Sequence, residues 1–183
     1  MNRNKTITGI SDDIINKLRM CISYNCDMGF KHESRATITK DGGVASFQYT
    51  IITNSPKGYM NRKINNPNPS IYKNFIRFTN ISIDDTNRGN GIFTEIIKKI
   101  EEVCDDLRCT IIISEFQNQK LAYNLGTKRN YLLFTGNGYA TNLKLLKSYI
   151  NDTNGKANNI FFFMTRKKVP LETAEYAVRF PRI

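Results

Sequence analysis

The chain has 183 residues, 40% of them apolar and 11% aromatic, with a formal net charge of +11 and a pI near 9.6. That length and composition fit one globular domain with a sizeable core and exclude a disordered or low-complexity chain. No run approaches the roughly 20 apolar residues a membrane-spanning helix needs, and the polar start, Met1–Gly9, does not read as a secretory leader, so a soluble, cytoplasmic protein with no membrane partner is expected.

The positive balance favours acidic partners: the phosphates of a nucleotide cofactor, nucleic acid, or an acidic protein face. It also serves solubility, so charge alone does not choose among them. Four cysteines, Cys21, Cys26, Cys104 and Cys109, repeat a C-x4-C spacing. Structural zinc pairs more often sit two residues apart, and Cys104 and Cys109 fall on a helix and on the strand after it. Reduced, buried thiols and no metal are expected.

Lys5–Thr8 reads as a short strand. Ser11 then reads as a helix N-cap with Asp12 and Asp13 in the first turn, and Ile14, Ile15, Leu18 and Cys21 or Ile22 share one face of a helix ending near Tyr24. The single histidine, His32, falls in the loop that follows. Ala36–Lys40 and Val44–Thr53 are expected strands of a hairpin turning at Asp41-Gly42-Gly43. Asn54–Asn74 is polar, holds Pro56, Pro67 and Pro69 with Lys57, Arg62 and Lys63, and is long for a connection; it is either a substrate-binding lid or an idle surface loop.

Phe75–Ile83 alternates as a strand through Ile76, Phe78, Ile81 and Ile83, with an irregularity near Thr79-Asn80. From Gly91 to about Leu107 the spacing predicts an amphipathic helix, with Ile92, Ile96, Ile100, Val103 and Leu107 inward and Glu95, Lys98, Lys99, Glu101 and Glu102 outward. Thr110–Ser114 reads as a central strand, Gln119–Thr127 as a short helix, and Tyr131–Phe134 as a strand. A further helix is expected over Ala140–Ile150 and a strand over Ile160–Thr165, with a basic, irregular tail, 166–183. Strand and helix alternate in the middle of the chain, the rhythm of an α/β layer, and residues 1–183 are taken as one domain.

The most informative segment is Ile81-Ser82-Ile83-Asp84-Asp85-Thr86-Asn87-Arg88-Gly89-Asn90-Gly91-Ile92-Phe93. A strand ends, a turn follows and a helix opens at glycines. A helix start leaves backbone N–H groups without internal partners, and its dipole favours an anion there. Gly89 and Gly91 allow positive φ and close approach of a phosphate, and Arg88 adds positive charge. No Lys-Ser or Lys-Thr follows the last glycine, so this is not a nucleoside-triphosphate loop, and the dinucleotide glycine pattern is incomplete.

This segment resembles the pyrophosphate motif of the GNAT superfamily of N-acetyltransferases, Arg/Gln-x-x-Gly-x-Gly/Ala. Arg88-Gly89-Asn90-Gly91-Ile92 matches it, Phe93 departs from the usual small residue, and Asp85 stands where the family often has proline. The resemblance implies a central mixed, mostly antiparallel sheet flanked by helices. It implies acetyl-CoA, or another acyl-CoA, as cofactor and transfer of the acyl group to an amine acceptor. Ile81, Ser82 and Ile83 would offer backbone hydrogen bonds to the pantetheine arm, and Arg88, Gly89, Asn90, Gly91, Ile92 and Phe93 would hold the pyrophosphate. Members usually join the last two strands by a short turn. Here about 24 residues intervene, so a helical insertion is expected there.

The family's later motif, N-x-x-A-x-x-L-Y-x-K-x-G-F, fits in two registers. One matches Ala122, Leu125, Lys128 and Tyr131 but puts Gln119 at the Asn, Gly126 at the Tyr that can protonate the departing thiolate, and Asn130 at the glycine. The other uses Asn118, as a cofactor contact, and Tyr123, as the acid, with altered spacing. Glu115 is the first candidate for the base that deprotonates the amine, followed by Asp84 and Asp85. Two other classes remain beside the acyltransferase. One is a protein on the same fold directed at nucleic acid, resting on the net charge of +11 and on Lys57, Arg62, Lys63, Arg166, Lys167 and Lys168. The other is a non-catalytic interaction module.

Overall fold

The computed structural model describes residues 3–27, 34–41, 43–54, 73–114, 119–129, 131–134 and 176–181. They form helices α1 (Arg3–Asp27), α2 (Ile92–Asp106) and α3 (Gln119–Lys128), and strands β1 (Ser34–Asp41), β2 (Ala45–Thr53), β3 (Asn74–Ile83), β4 (Cys109–Ser114), β5 (Leu132–Phe134) and β6 (Tyr176–Arg179). The six strands make one mixed, open sheet in the order β1-β2-β3-β4-β6-β5, so the architecture is α/β. β3 and β4 pair in parallel; the other neighbours are antiparallel.

The hairpin forms as its turn residues dictate. Asp41 Oδ1 accepts the Gly43 N–H at 2.8 Å, and Gly43 takes φ +78°, which only glycine adopts without steric cost. The register then runs from Asp41↔Ser46 to Ser34↔Thr53. β2 and β3 keep their apolar residues on one side through an irregularity. Gln48 faces Asn80 but Tyr49 faces Phe78, so Thr79 is the extra residue of a bulge. Without it Ile81 and Ile83 would turn outward; with it both join the core beneath Phe47 and Ala45. Phe78 meets Phe47 edge-on at 6.1 Å and Tyr49 at 5.8 Å, contacts worth about 0.5–1.5 kcal/mol each beyond area burial.

The parallel β3–β4 pair needs a crossover, and α2 supplies it. Ile92, Ile96, Ile97, Ile100 and Cys104 are buried along its inner face. Each fully buried isoleucine contributes about 1.5–3 kcal/mol. β4 is apolar on both sides: Ile111, Ile112 and Ile113 are all buried. α1 packs beside α2, α3 lies on β5 and β6, and residues from all three helices share one core cluster with Tyr49, Phe78, Ile113 and Ala177. None of the described helices is long and apolar enough to cross a membrane.

The structure corrects the sequence reading at three places. There is no strand at Lys5–Thr8, and Ser11 is not a cap: α1 already begins at Arg3, and Ser11 lies buried inside it. Its hydroxyl donates to Ile7 O at 2.9 Å and Thr8 O at 3.1 Å, so a polar residue is satisfied without leaving the helix. Ile7 and Ile10 extend the apolar stripe of Ile14 and Leu18 backward, and burial against β2 and α2 overrides the local cap signal. Glu101, expected outward, is buried on the flank of α2. The tail is not wholly irregular: Tyr176–Arg179 is β6, inserted between β4 and β5. Four residues carry too little alternation to announce a strand; two flanking ladders make one. The expected helix over 140–150 and strand over 160–165 lie outside the described residues.

Gly9 sits exposed inside α1, and a Cβ there would meet nothing. Gly9→Ala is therefore expected to raise stability by about 0.5–1 kcal/mol in denaturant unfolding. The Tyr49 hydroxyl is buried with no hydrogen-bond partner among the described residues, and burial, then Asp13 and Cys21, push its pKa up to about 12. The folded value lies above that of an unfolded tyrosine, about 10. Tyr49's contribution is thus intact below about pH 10 and is lost as the pH climbs toward about 12. In urea titrations Tyr49→Phe is expected to match the parent at about pH 8 and to exceed it above pH 10, by on the order of 2 kcal/mol at the alkaline limit.

Candidate functional site

The site begins where β3 leaves β4. Their ladder runs from Asn74↔Cys109 to Phe78↔Ile113 and stops. Ser114 sits at the end of β4 with its hydroxyl donating to Phe78 O at 3.1 Å and accepting from Arg77 Nε at 3.1 Å. A side chain thus occupies the carbonyl at which a further rung would form. At the same level Thr79 bulges on the β2 side, which adds twist. From Thr79 to Ile83 the strand is held by β2 alone, and among the described residues no strand pairs with its other edge. Ile81 and Ile83 pack toward the core while Ser82 is exposed.

The turn after β3 is built by Asp84. Its N–H donates to Val44 O at 3.0 Å, and its carboxylate accepts from Thr86 Oγ1 at 2.8 Å and Asn87 Nδ2 at 3.4 Å. The Thr86 hydroxyl above all, with Asn87 and backbone amides adding, holds the Asp84 carboxyl below its ordinary range. Asp85–Asn87 form a short 3-10 turn. Arg88 is folded back on it, Nε donating to Ile83 O at 3.2 Å and Nη1 meeting Asp85 Oδ1 at 2.9 Å. Both partners of that ion pair are largely exposed, so it is worth no more than about 1 kcal/mol. The charge of Arg88 is balanced by Asp85, so the positive character left to this loop is that of its backbone amides.

Gly89 and Gly91 take φ +80° and +76°, the left-handed region in which a side chain is strained. Gly91 is the N-cap of α2 and supplies no side-chain hydrogen bond; the first helical bond runs from Glu95 N–H to Gly91 O at 3.0 Å. The amides of Ile92, Phe93 and Thr94 precede it and lack an intrahelical acceptor. Gly89, Asn90 and Gly91 are exposed, a Cβ at Gly89 would meet nothing, and the Ile92 side chain is turned into the core. The turn is open, with the positive end of a 15-residue helix behind it.

The expected catalytic residues are placed less fully. Glu115 and Asn118 lie outside the described residues, as does His32. Tyr123 is on α3, the backbone of which is described and its side chain not. Asp84 and Asp85 are both engaged by the turn, which leaves Asp84 a weaker base than an ordinary carboxylate. Gly126 is buried against β5, and a Cβ there would lie 2.7 Å from Leu133 Cδ1 and 3.1 Å from its Cγ. The position that one register assigns to tyrosine is therefore a packing contact between helix and strand. Cys104 and Cys109 are buried free thiols from α2 and β4, close enough to interact; burial pushes the Cys104 thiol well up.

Sequence reading missed the buried charges beside this core. Among the described residues Arg129 pairs with Glu101 and Arg179 with Asp105, each through two hydrogen bonds. The available signal was the row Ile97, Glu101 and Cys104, which shares the inner ridge of α2 and should have marked the acid as buried.

Compared with known proteins, the chain matches no family model, no curated protein and no solved structure.

Gly126→Tyr is expected to lower stability by about 3 kcal/mol, the upper range for overpacking. Leu133→Ala in the same chain should recover part of that loss in thermal unfolding, because it removes the atoms in conflict.

Proposed function

We propose that the chain is an acyl-CoA-dependent N-acyltransferase of GNAT type, moving an acetyl group from acetyl-CoA to an amine acceptor by direct attack on the thioester. The observation that carries this reading is a helix start with left-handed glycines and no side-chain cap, lying after a strand whose one edge, from Thr79 to Ile83, pairs with no strand among the described residues. The first supplies convergent amides and a dipole for a diphosphate. The second supplies alternating N–H and C=O groups for an extended chain carrying amides. A diphosphate joined to an amide-bearing arm is what coenzyme A presents, and the order of strand, turn and helix is the one the Arg88–Ile92 resemblance implies.

In this reading Gly89 and Gly91 to Phe93 bind the diphosphate through backbone amides, the Asn90 amide donating to Asn87 O at 3.4 Å, with Arg88 bracing the turn more than touching the ligand. Ile81 to Ile83 align the arm along the free edge of β3. The acceptor nitrogen attacks the thioester carbonyl, the C–N bond forms as the C–S bond breaks, and the thiolate departs. Glu115, directly or through a water, takes the amine proton, and Tyr123 returns one to the thiolate. The thioester is already activated, so holding the amine against it supplies much of the rate. The helical insertion expected between the last two strands belongs to this proposal as a cover for the acceptor.

Gly91→Glu would place a carboxylate where the diphosphate sits. Titration calorimetry is expected to show saturable acetyl-CoA binding by the parent chain and at least about 100-fold weaker binding by the variant. Gly91→Asn, which tolerates left-handed backbone, should keep most of it. Absence of binding by the parent at millimolar cofactor would remove the reading altogether.

A further inference from the structure

Helix α2 carries two acids one turn apart, Glu101 and Asp105, and neither simply faces solvent. Arg129, the residue following α3, donates Nε to Glu101 Oε1 at 3.0 Å and Nη2 to Oε2 at 2.6 Å. Arg179, on β6 and 4% exposed, donates Nη1 to Asp105 Oδ1 at 2.9 Å and Nη2 to Oδ2 at 2.7 Å. Tyr131 is buried against both pairs, and burial first, then Glu101, push its ionisation upward. The pairs wall a polar cavity of about 310 Å³ that Lys98, Glu102 and Lys128 also line.

Such fork-to-fork pairs fix orientation as well as distance, which a lysine cannot do. Their placement gives that property a use. α3 packs on β5 and β6 and reaches α2 through Arg129. Its end is closed by Arg129 N–H and Tyr131 N–H, which both donate to Leu125 O at 3.3 and 3.1 Å. Arg129 is therefore rigidly continuous with the helix. α2 and α3 follow the parallel strands β3 and β4, so they start at the same end of the sheet; the Arg129–Glu101 pair joins them at the other, and Arg179–Asp105 ties β6 to α2 beside it.

We infer that Glu101 and Asp105 are positioning residues: through Arg129 and Arg179 they hold α3 and β6 in fixed orientation to α2, the helix whose first turn forms the proposed diphosphate seat. The catalytic consequence rests on the proposed acyl transfer; the orientation does not. At roughly 1.5 Å per residue α3 is about 15 Å long, so a tilt of about 5° at the clamped end displaces its start by about 1 Å. A misplacement of that size in a reacting geometry can cost about 100-fold in rate.

The test is Arg129→Lys, which keeps the charge and loses the fork, examined by amide hydrogen exchange and by steady-state kinetics with acetyl-CoA and an amine library. Exchange at residues 119–129 is expected to accelerate by about tenfold or more while α2 and β2–β4 keep their protection. With an accepted amine, kcat should fall by about 10- to 100-fold with the Kd for acetyl-CoA within about twofold of the parent. Unchanged exchange in α3, or a uniform loss of protection in every element, would overturn the inference, because the pair would then be idle or merely structural. A parent chain without turnover would count against the acyltransferase and leave exchange to decide the positioning role. Should Arg129→Lys fail to fold, Glu101→Gln, which keeps shape and loses charge, is read in the same way.

Discussion

Parallel pairing of β3 with β4 sets a demand that the rest of the structure meets. The chain must travel back along the sheet between them, and α2 is the element that does so. The helix start is thereby delivered to the C-terminal end of β3, where the described pairing with β4 ends, Ser114 donates to Phe78 O, and Thr79 bulges on the β2 side. The strand edge that no described residue pairs and the helix start without a side-chain cap are two products of a single topological step. Either alone would be a common surface feature. Side by side they carry the proposed reading of an elongated, anionic ligand.

Charge is used differently at the two ends of α2. At its start the charged groups are exposed, Arg88 paired with Asp85 and Asp84 accepting from Thr86 and Asn87, shaping a short turn at little energetic gain and leaving the backbone to face outward. At its end Glu101 and Asp105 are withdrawn from water and matched with guanidinium forks. Burying such pairs costs desolvation that the attraction only about offsets, so their value lies in fixing one arrangement of α2, α3 and β6 rather than in net stability. The net charge of +11 describes none of this; what matters is which charges are spent on partners within the fold.

Much of the sheet could be read directly. The hairpin follows from Asp41 and Gly43, the irregularity at Thr79 from the broken alternation between Phe78 and Ile81, and α2 from its isoleucine spacing. At the glycine loop, positive φ at Gly89 and Gly91 is as local chemistry requires. The errors share a cause. Ser11 has the identity of a cap and the location of a core residue, and the Ile7 and Ile10 stripe outweighs identity. Glu101 has the identity of a surface residue and a partner 28 positions away. In both cases a distant contact changed the meaning of a local signal.

Sequence by itself determined the elements whose cause lies within a few residues: turn glycines and apolar periodicities of two and of 3.6. It also marked the loop, because a left-handed residue before a helix is a property of the short segment around it. Tertiary structure alone decided that Tyr176–Arg179 would be a strand, that Gly126 would seat against Leu133, and that Arg179 would spend its charge on Asp105. Those outcomes depend on what arrives from elsewhere in the chain to pair, to crowd or to neutralise, and burial of groups far apart in sequence is the energy that brings it there.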